Sequence, residues 1–416
     1  MTGSRKGFTL VELIVVMLVF TVVIMISTDA FRTILAQTGK ITKSEESNIE
    51  GVVGLEMLRH DLQQAGFGLP FSFLADIAYV EAASAPANVV NDGTGVLGRQ
   101  VPRAVVAVNN QAAMAAPTGN EPANILAGTD YLAIKGTTLS TQPVAQRWSY
   151  VENNGAAIAA RVWGNATLDL VEDVDRVTVL RRSFVGTTYR NELVVGAAGF
   201  AAPFKVAGFD DPGFDPPSAL ETHYVYGIAS EDLRMPFNRA DYFVAAPTSA
   251  GRMPGFCAPN TGILYKASLR HSDGNLTYIP LLDCVADMQV VFGWDLSDGM
   301  GGEGQDGVID TYSTPIGAGG VPTQVAGVMG QATVAAALND PERLRQSLKV
   351  IKMYLLAQVG RRDPNYQSLA NYVLGDATTD LFTNKTYDMT VNPAMRNYHW
   401  KVYRIIVRPK NLQANQ

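Results

Sequence analysis

From Phe8 to Ile26 the chain runs through about nineteen residues of which one, Glu12, is charged. A helix of that length crosses the hydrocarbon of a bilayer, which needs about 20 apolar residues. A carboxylate inside such a helix costs about 2.5–3.5 kcal/mol on insertion scales, so it marks a role beyond anchoring. The leader ahead of it, Met1 to Gly7, carries Arg5 and Lys6, and cations there hold the N-terminus in the cytoplasm. Everything after Ile26 is then expected outside the cytoplasm. An ordinary secretory signal has an apolar stretch of about 7–15 residues followed by a small-residue cleavage site. Here the run is longer, contains an acid and leads into Ser27-Thr28-Asp29. A plain anchor explains the length but neither Gly7-Phe8 nor Glu12.

Taken together, these residues resemble the class III signal of type IV prepilins and type II secretion pseudopilins. The resemblance implies that a prepilin peptidase cuts after Gly7 and methylates the new N-terminus at Phe8. It also implies that Glu12, fifth in the mature chain, pairs with the N-terminal ammonium of a neighbouring subunit during assembly.

No proline interrupts the chain before Pro70, and the apolar spacing is helical to about Ala65. After Ser27 the helix turns amphipathic, with Phe31, Ile34, Leu35, Ile41, Ile49, Val52, Leu55, Met57, Leu58 and Leu62 at three- and four-residue steps. Gly51 and Gly54 weaken it by about 1 kcal/mol each relative to Ala, so a bend is expected there. The cluster Gly66-Phe67-Gly68-Leu69-Pro70 stops it. The run from Arg59-His60-Asp61 into Ala65-Gly66-Phe67-Gly68 resembles the helix end of PilW-like minor pilins. Further resemblance lies in Thr129–Ile134, Leu282–Gly293, Leu348–Ala357 and Val402–Leu412. It implies an α+β type IV pilin fold: a long N-terminal helix, transmembrane in its first half, packed on an antiparallel β-sheet domain with a large insertion. The expected division is a leader at 1–7, a membrane segment at 8–27, a spine at 28–66 and a globular domain at 67–416, with 136–275 as an insertion or variable region.

Two cysteines, Cys257 and Cys284, lie beyond the span. An even count in an oxidising compartment favours a disulfide over two buried thiols. The segment from Asp295 to Asp310 holds Asp295, Asp298, Glu303, Asp306 and Asp310 among five glycines. Calcium takes six to eight oxygens, and a Gly-rich loop can bend to converge them, so Asp295, Asp298, Asp306 and Asp310 are candidate ligands. An EF-hand register fails, with Ser313 where a Glu is needed. The competing reading is a solvated acidic turn. His60, His223, His271 and His399 stand apart from one another and are expected at the surface or at strand ends. Gly302-Glu303-Gly304-Gln305-Asp306-Gly307 spells GxGxxG, but its acids would repel a pyrophosphate and no helix-forming run follows.

The net charge is −6, with scattered Lys and Arg. Loss of Arg5 and Lys6 with the leader lowers it by two, to about −8. Nucleic-acid binding needs a clustered basic face, so it is not expected. No catalytic motif appears, and the chain is read as a filament subunit rather than an enzyme. Its expected partners are the prepilin peptidase, the inner membrane before assembly, a major pilin and other minor pilins. A minor pseudopilin of a type II secretion system and a signal-anchored envelope adhesin are the alternatives.

Overall fold

The computed structural model describes residues 10–73, 77–85, 87–92, 101–112, 114–115, 123–185, 188–247 and 252–413, and over 32–50 it describes the helical backbone. Leu10–Gln64 form one continuous helix, α1, of 55 residues. At 1.5 Å per residue it is about 82 Å long. It ends at the predicted glycines: Gly66 and Gly68 take φ of 79° and 63°, a left-handed conformation that glycine adopts without a Cβ penalty. The Gly66 amide donates to the Lys135 carbonyl at 2.9 Å, which ties the end of the helix to the first long strand of the domain.

The domain after α1 is β-rich, which makes the chain α+β. Seven strands of its main sheet lie side by side in chain order, each antiparallel to the next. They are Val105–Val108, Tyr131–Gly136, Asn238–Pro247, Gly262–Leu269, Leu276–Trp294, Leu348–Val359 and His399–Val407. Short strands extend its rims. Leu348–Val359 is buried at every position but its last. Both of its faces are covered, so even Lys349, Lys352 and Gln358 within it are buried. Leu348, Ile351, Met353 and Leu355 share one core with Leu55, Leu58 and Leu62 of α1. Tyr354 and Leu356 point into another core, with Leu374, Met389, Met395 and Trp400. In the last strand Ile405 and Val407 are buried in the first core, while Arg404 is exposed and pairs with Asp376 at 2.8 Å.

A second sheet, all but its Ser72–Phe73 strand, is inserted between Tyr131–Gly136 and Asn238–Pro247. It orders Ser72–Phe73, Thr188–Leu193, Arg176–Val185, Thr222–Ala229, Trp148–Asn153 and Ile158–Ala160, with Ala201–Pro203 also on Arg176–Val185. One face packs on a separate core that includes Val151, Val177, Val179 and Val225. The expected insertion at 136–275 therefore runs too far. Asn238–Pro247 and Gly262–Leu269 belong to the main sheet, and both are buried along most of their length because layers cover both sides.

α1 meets the sheet at two of its glycines, Gly51 and Gly54. A Cβ on Gly54 would lie 2.2 Å from the carbonyl oxygen of Leu281, and one on Gly51 would lie 2.7 Å from a methyl of Leu282. The glycines let the helix backbone approach Leu276–Trp294, and α1 continues through both as one helix. Val52 and Met57, counted above with the amphipathic stripe, are exposed on other faces. Gly54→Ala should gain about 1 kcal/mol of helix propensity and lose about 1–3 kcal/mol to overpacking against a backbone carbonyl. A lower melting temperature of the detergent-solubilised chain is expected, and a higher one would show that the strand yields without cost.

Candidate functional site: the N-terminal helix and its attachment

Within α1 the segment Leu10–Phe31 is long and apolar enough to cross a membrane, and its most apolar window is wholly unburied by the rest of the chain. Thr21 and Thr28 turn their hydroxyls back onto the carbonyls of Met17 and Ile24, each at 2.8 Å. That satisfies polar groups that would otherwise face hydrocarbon unpaired. Glu12 lies on the exposed surface of the first turn. Gly7 and Phe8, the expected processing site, lie outside the described residues.

The other end of α1 is clamped by charge. Asp61 is 3% exposed and meets the Lys266 ammonium at 2.5 Å. The Tyr242 hydroxyl donates to the same carboxylate. Tyr242 and Lys266 sit opposite each other on neighbouring strands, so one cross-strand pair grips one helix side chain. A buried carboxylate is costly without such a partner.

Beyond the clamp lies a buried ionic network that sequence reasoning missed. Lys135 and Arg239 are opposite one another in the sheet and both are buried. Glu81 lies between them, 2.8 Å from Lys135 and 2.9 Å from Arg239. Arg239 also binds Asp241 through two nitrogens, each at 2.7 Å, and Asp92 bridges Lys135 and Arg103, each at 2.6 Å. Burial alone would raise the Glu81 and Asp92 carboxyls. The cations outweigh it, Lys135 for both with Arg239 and Arg103 respectively, and hold them below the usual carboxylate range. The network fastens residues 79–92 to the sheet. The one signal in the sequence was Arg239 and Asp241 at two-residue spacing in a strand, which places both on one face.

Cys257 and Cys284 form a disulfide, with Cα atoms 5.1 Å apart across 27 residues. Cys284 takes φ 55° where the pairing of Leu276–Trp294 with Gly262–Leu269 shifts register. The bridge ties the turn before Gly262 to that irregularity.

The four carboxylates expected to converge on calcium do not. Among the described residues no group of three or more His, Cys, Asp or Glu is placed to hold a metal. Backbone amides take their oxygens instead. Asp295 accepts from Asp306 and Gly307 and lies 3.4 Å from Lys349. Asp298 accepts from Met300 and Gly302. Asp310 accepts from Leu296 and Ser297, and Asp306 accepts from Val308. The acids shape the loop as turn-closing acceptors, a role that short acidic side chains share at many turns. His223 and His271 lie at strand ends, as expected, but there they are buried rather than exposed. The ring of His223 bonds the Phe214 carbonyl and that of His271 bonds Asn238. Burial lowers both pKa values, that of His271 to about 4.

Residues 3–28 match the prokaryotic N-terminal methylation motif. The chain thus carries a type IV pilin or pseudopilin signal on an apolar N-terminal helix, followed by a β-rich domain. Processing by a prepilin peptidase and membrane anchoring with an extracytoplasmic domain follow from that signal. No curated protein matches the chain, and no solved structure does.

Two measurements check this geometry. Asp61→Asn leaves Lys266 buried without its charge partner and should cost about 3 kcal/mol or more in urea unfolding. Asp61→Leu with Lys266→Met should recover part of that loss, since both charges go together. Asp130 is fully buried and accepts from the amides of Asn110 and Val290, yet burial, with Asp287 nearby, lifts it to about 7. Its folded pKa lies above its unfolded one, so its contribution to stability is full below about pH 4 and is lost as pH rises through 7. Wild-type stability should therefore fall between pH 5 and pH 8, and Asp130→Asn, which cannot titrate but gives up one of the two amide acceptors, should lack that part of the fall when urea unfolding is compared at the two pH values.

Proposed function

We propose that the chain is a minor pilin of a bacterial type IV pilus, of the PilW-like kind, acting in filament initiation at or near the tip. The observation that carries this reading is the methylation signal at residues 3–28, continuous with a helix whose apolar segment Leu10–Phe31 is left uncovered by the other described residues. Such a surface needs lipid before assembly and other helices after it. Size supports a minor role, because a domain of about 350 residues would crowd a filament built from it alone. The PilW-like assignment rests on the helix end at Arg59–Gly68 and on the strand segments named above. On this reading the protein performs no catalysis, its partners are the major pilin and other minor pilins, and its final place is the filament on the cell surface. A minor pseudopilin of a type II secretion system would carry the same signal, and co-purification with pilus or with secretion components separates the two.

Mature protein should begin at Phe8 with a methylated amine, and a bulky residue at Gly7 should block cleavage; mass spectrometry of the intact protein reads both. Within an apolar filament core the Glu12 carboxylate needs a cation, and the Phe8 ammonium of a neighbour is the one this reading supplies. Glu12→Val should leave the chain membrane-inserted while its recovery in sheared filaments falls about tenfold or more, a loss of about 1.4 kcal/mol in recruitment. Undiminished recovery would mean that Glu12 serves another purpose.

A further inference from the structure

The inserted sheet has one face on its own core and another that is partly open. The open part is aromatic. Trp148 and Tyr150 alternate with buried residues along one strand. Tyr224 lies directly opposite Tyr150, and Tyr226 opposite Trp148. Trp163, from the turn after the edge strand, packs on both: its ring centre is 5.3 Å from that of Trp148 and 6.2 Å from that of Tyr150. Trp148 and Trp163 remain 39% and 37% exposed.

This arrangement is held in place. The indole N–H of Trp163 donates to the Trp148 carbonyl at 3.0 Å. Asp169 accepts from the Trp163 and Asn165 amides at 2.6 and 2.8 Å. The Trp163 ring is thus fixed with its N–H already satisfied, and the surface it still offers is apolar ring face. The small core beneath is completed by other residues, so folding of the insertion gives no reason for the two exposed indoles.

Two cations flank the rings. The Arg161 guanidinium lies 5.9 Å from the centre of the Trp163 ring, and that of Arg182 lies 5.1 Å from the centre of Tyr224. Neither meets a carboxylate within ion-pair distance among the described residues, unlike Arg181 beside it, which pairs with Glu192 at 3.0 Å. Glu152 follows Tyr150 on the same side of its strand and sets an acidic limit to the patch.

We propose that this face binds an acidic polysaccharide, a chain of uronate-bearing pyranose rings. The flat apolar faces of the sugars stack on Trp148, Trp163 and Tyr224, and their carboxylates pair with Arg161 and Arg182, whose planar forks suit a carboxylate. Exposed aromatic rings with arginine are the composition of binding surfaces, and the shallow relief suits a chain of rings rather than a small molecule, which needs a concave pocket. Single-stranded nucleic acid also stacks on aromatics, but it brings a phosphate at every nucleotide and calls for a longer basic track. Two arginines and a limiting glutamate fit a sparser anion.

The test is titration of full-length protein, in detergent micelles, with oligogalacturonate, read by tryptophan emission and calorimetry. Of the four tryptophans, Trp294 and Trp400 are buried, so a saturable change reports on Trp148 and Trp163. Affinity should fall as salt rises. Trp163→Ala and Arg161→Gln should each weaken binding about tenfold, with little change in melting temperature since both sites are exposed. A neutral dextran should bind at least about tenfold more weakly, the loss of one charge-assisted contact. Absence of oligogalacturonate binding, or equal binding by the Trp148→Ala/Trp163→Ala variant, overturns the proposal. Tighter binding of single-stranded oligothymidylate overturns it in favour of a nucleic-acid surface. Filament recruitment through Glu12 is untouched by any of these outcomes.

Discussion

The close approach of α1 to the strand Leu276–Trp294 organises the rest of the molecule. Gly54 brings helix backbone against the Leu281 carbonyl and Gly51 makes room for the Leu282 side chain, and Leu55, Leu58 and Leu62 then fill the space toward the sheet. Asp61 locks the last turns through Lys266 and Tyr242. The strand that receives the helix also carries Cys284 of the disulfide and pairs with Leu348–Val359. The last turns of α1 are thereby built into the sheet, and its apolar segment Leu10–Phe31 has no cover from the other described residues. That division is what a membrane-anchored precursor needs: a rigid outer attachment and an anchoring segment that makes no commitment to its own domain.

Glycine in a helix interior is ordinarily a weakness of about 1 kcal/mol, and from sequence the pair reads as a point of bending. In the folded chain the same residues are the contact. The tertiary gain decides, because interhelical or helix–sheet packing, not propensity, supplies most of a helix's stability in a protein. Buried charge follows a similar logic. Lys135 and Arg239 face one another in the sheet, a like-charge pair that Glu81, Asp92 and Asp241 neutralise. Removal of any one member would leave an uncompensated charge in the interior.

The acidic segment at 295–310 shows how composition can mislead about chemistry. Five carboxylates among glycines suggest a cation, and convergence is what a cation requires. The backbone amides freed by the glycine turns compete for the same oxygens. They win here because each lies within two to fourteen residues of its acceptor along the chain, which makes those contacts cheap in loop entropy.

The sequence alone determined the features whose cause is local: the apolar run with its lone acid and cationic leader, the length of α1 and its stop at Gly66–Gly68. Each follows from periodicity or backbone freedom within a few residues. The cysteines also belonged to this class, since compartment and count suffice to suggest a pair. The tertiary structure alone decided which strands form one sheet, so the insertion ends before Asn238 rather than at 275. It also decided that Asp61 meets Lys266, that Glu81 meets Lys135 and Arg239, and that two tryptophans fifteen residues apart share one open face. Those are long-range pairings among residues of ordinary type, and charge or aromaticity in a sequence carries no record of which partner the sheet register will place beside it.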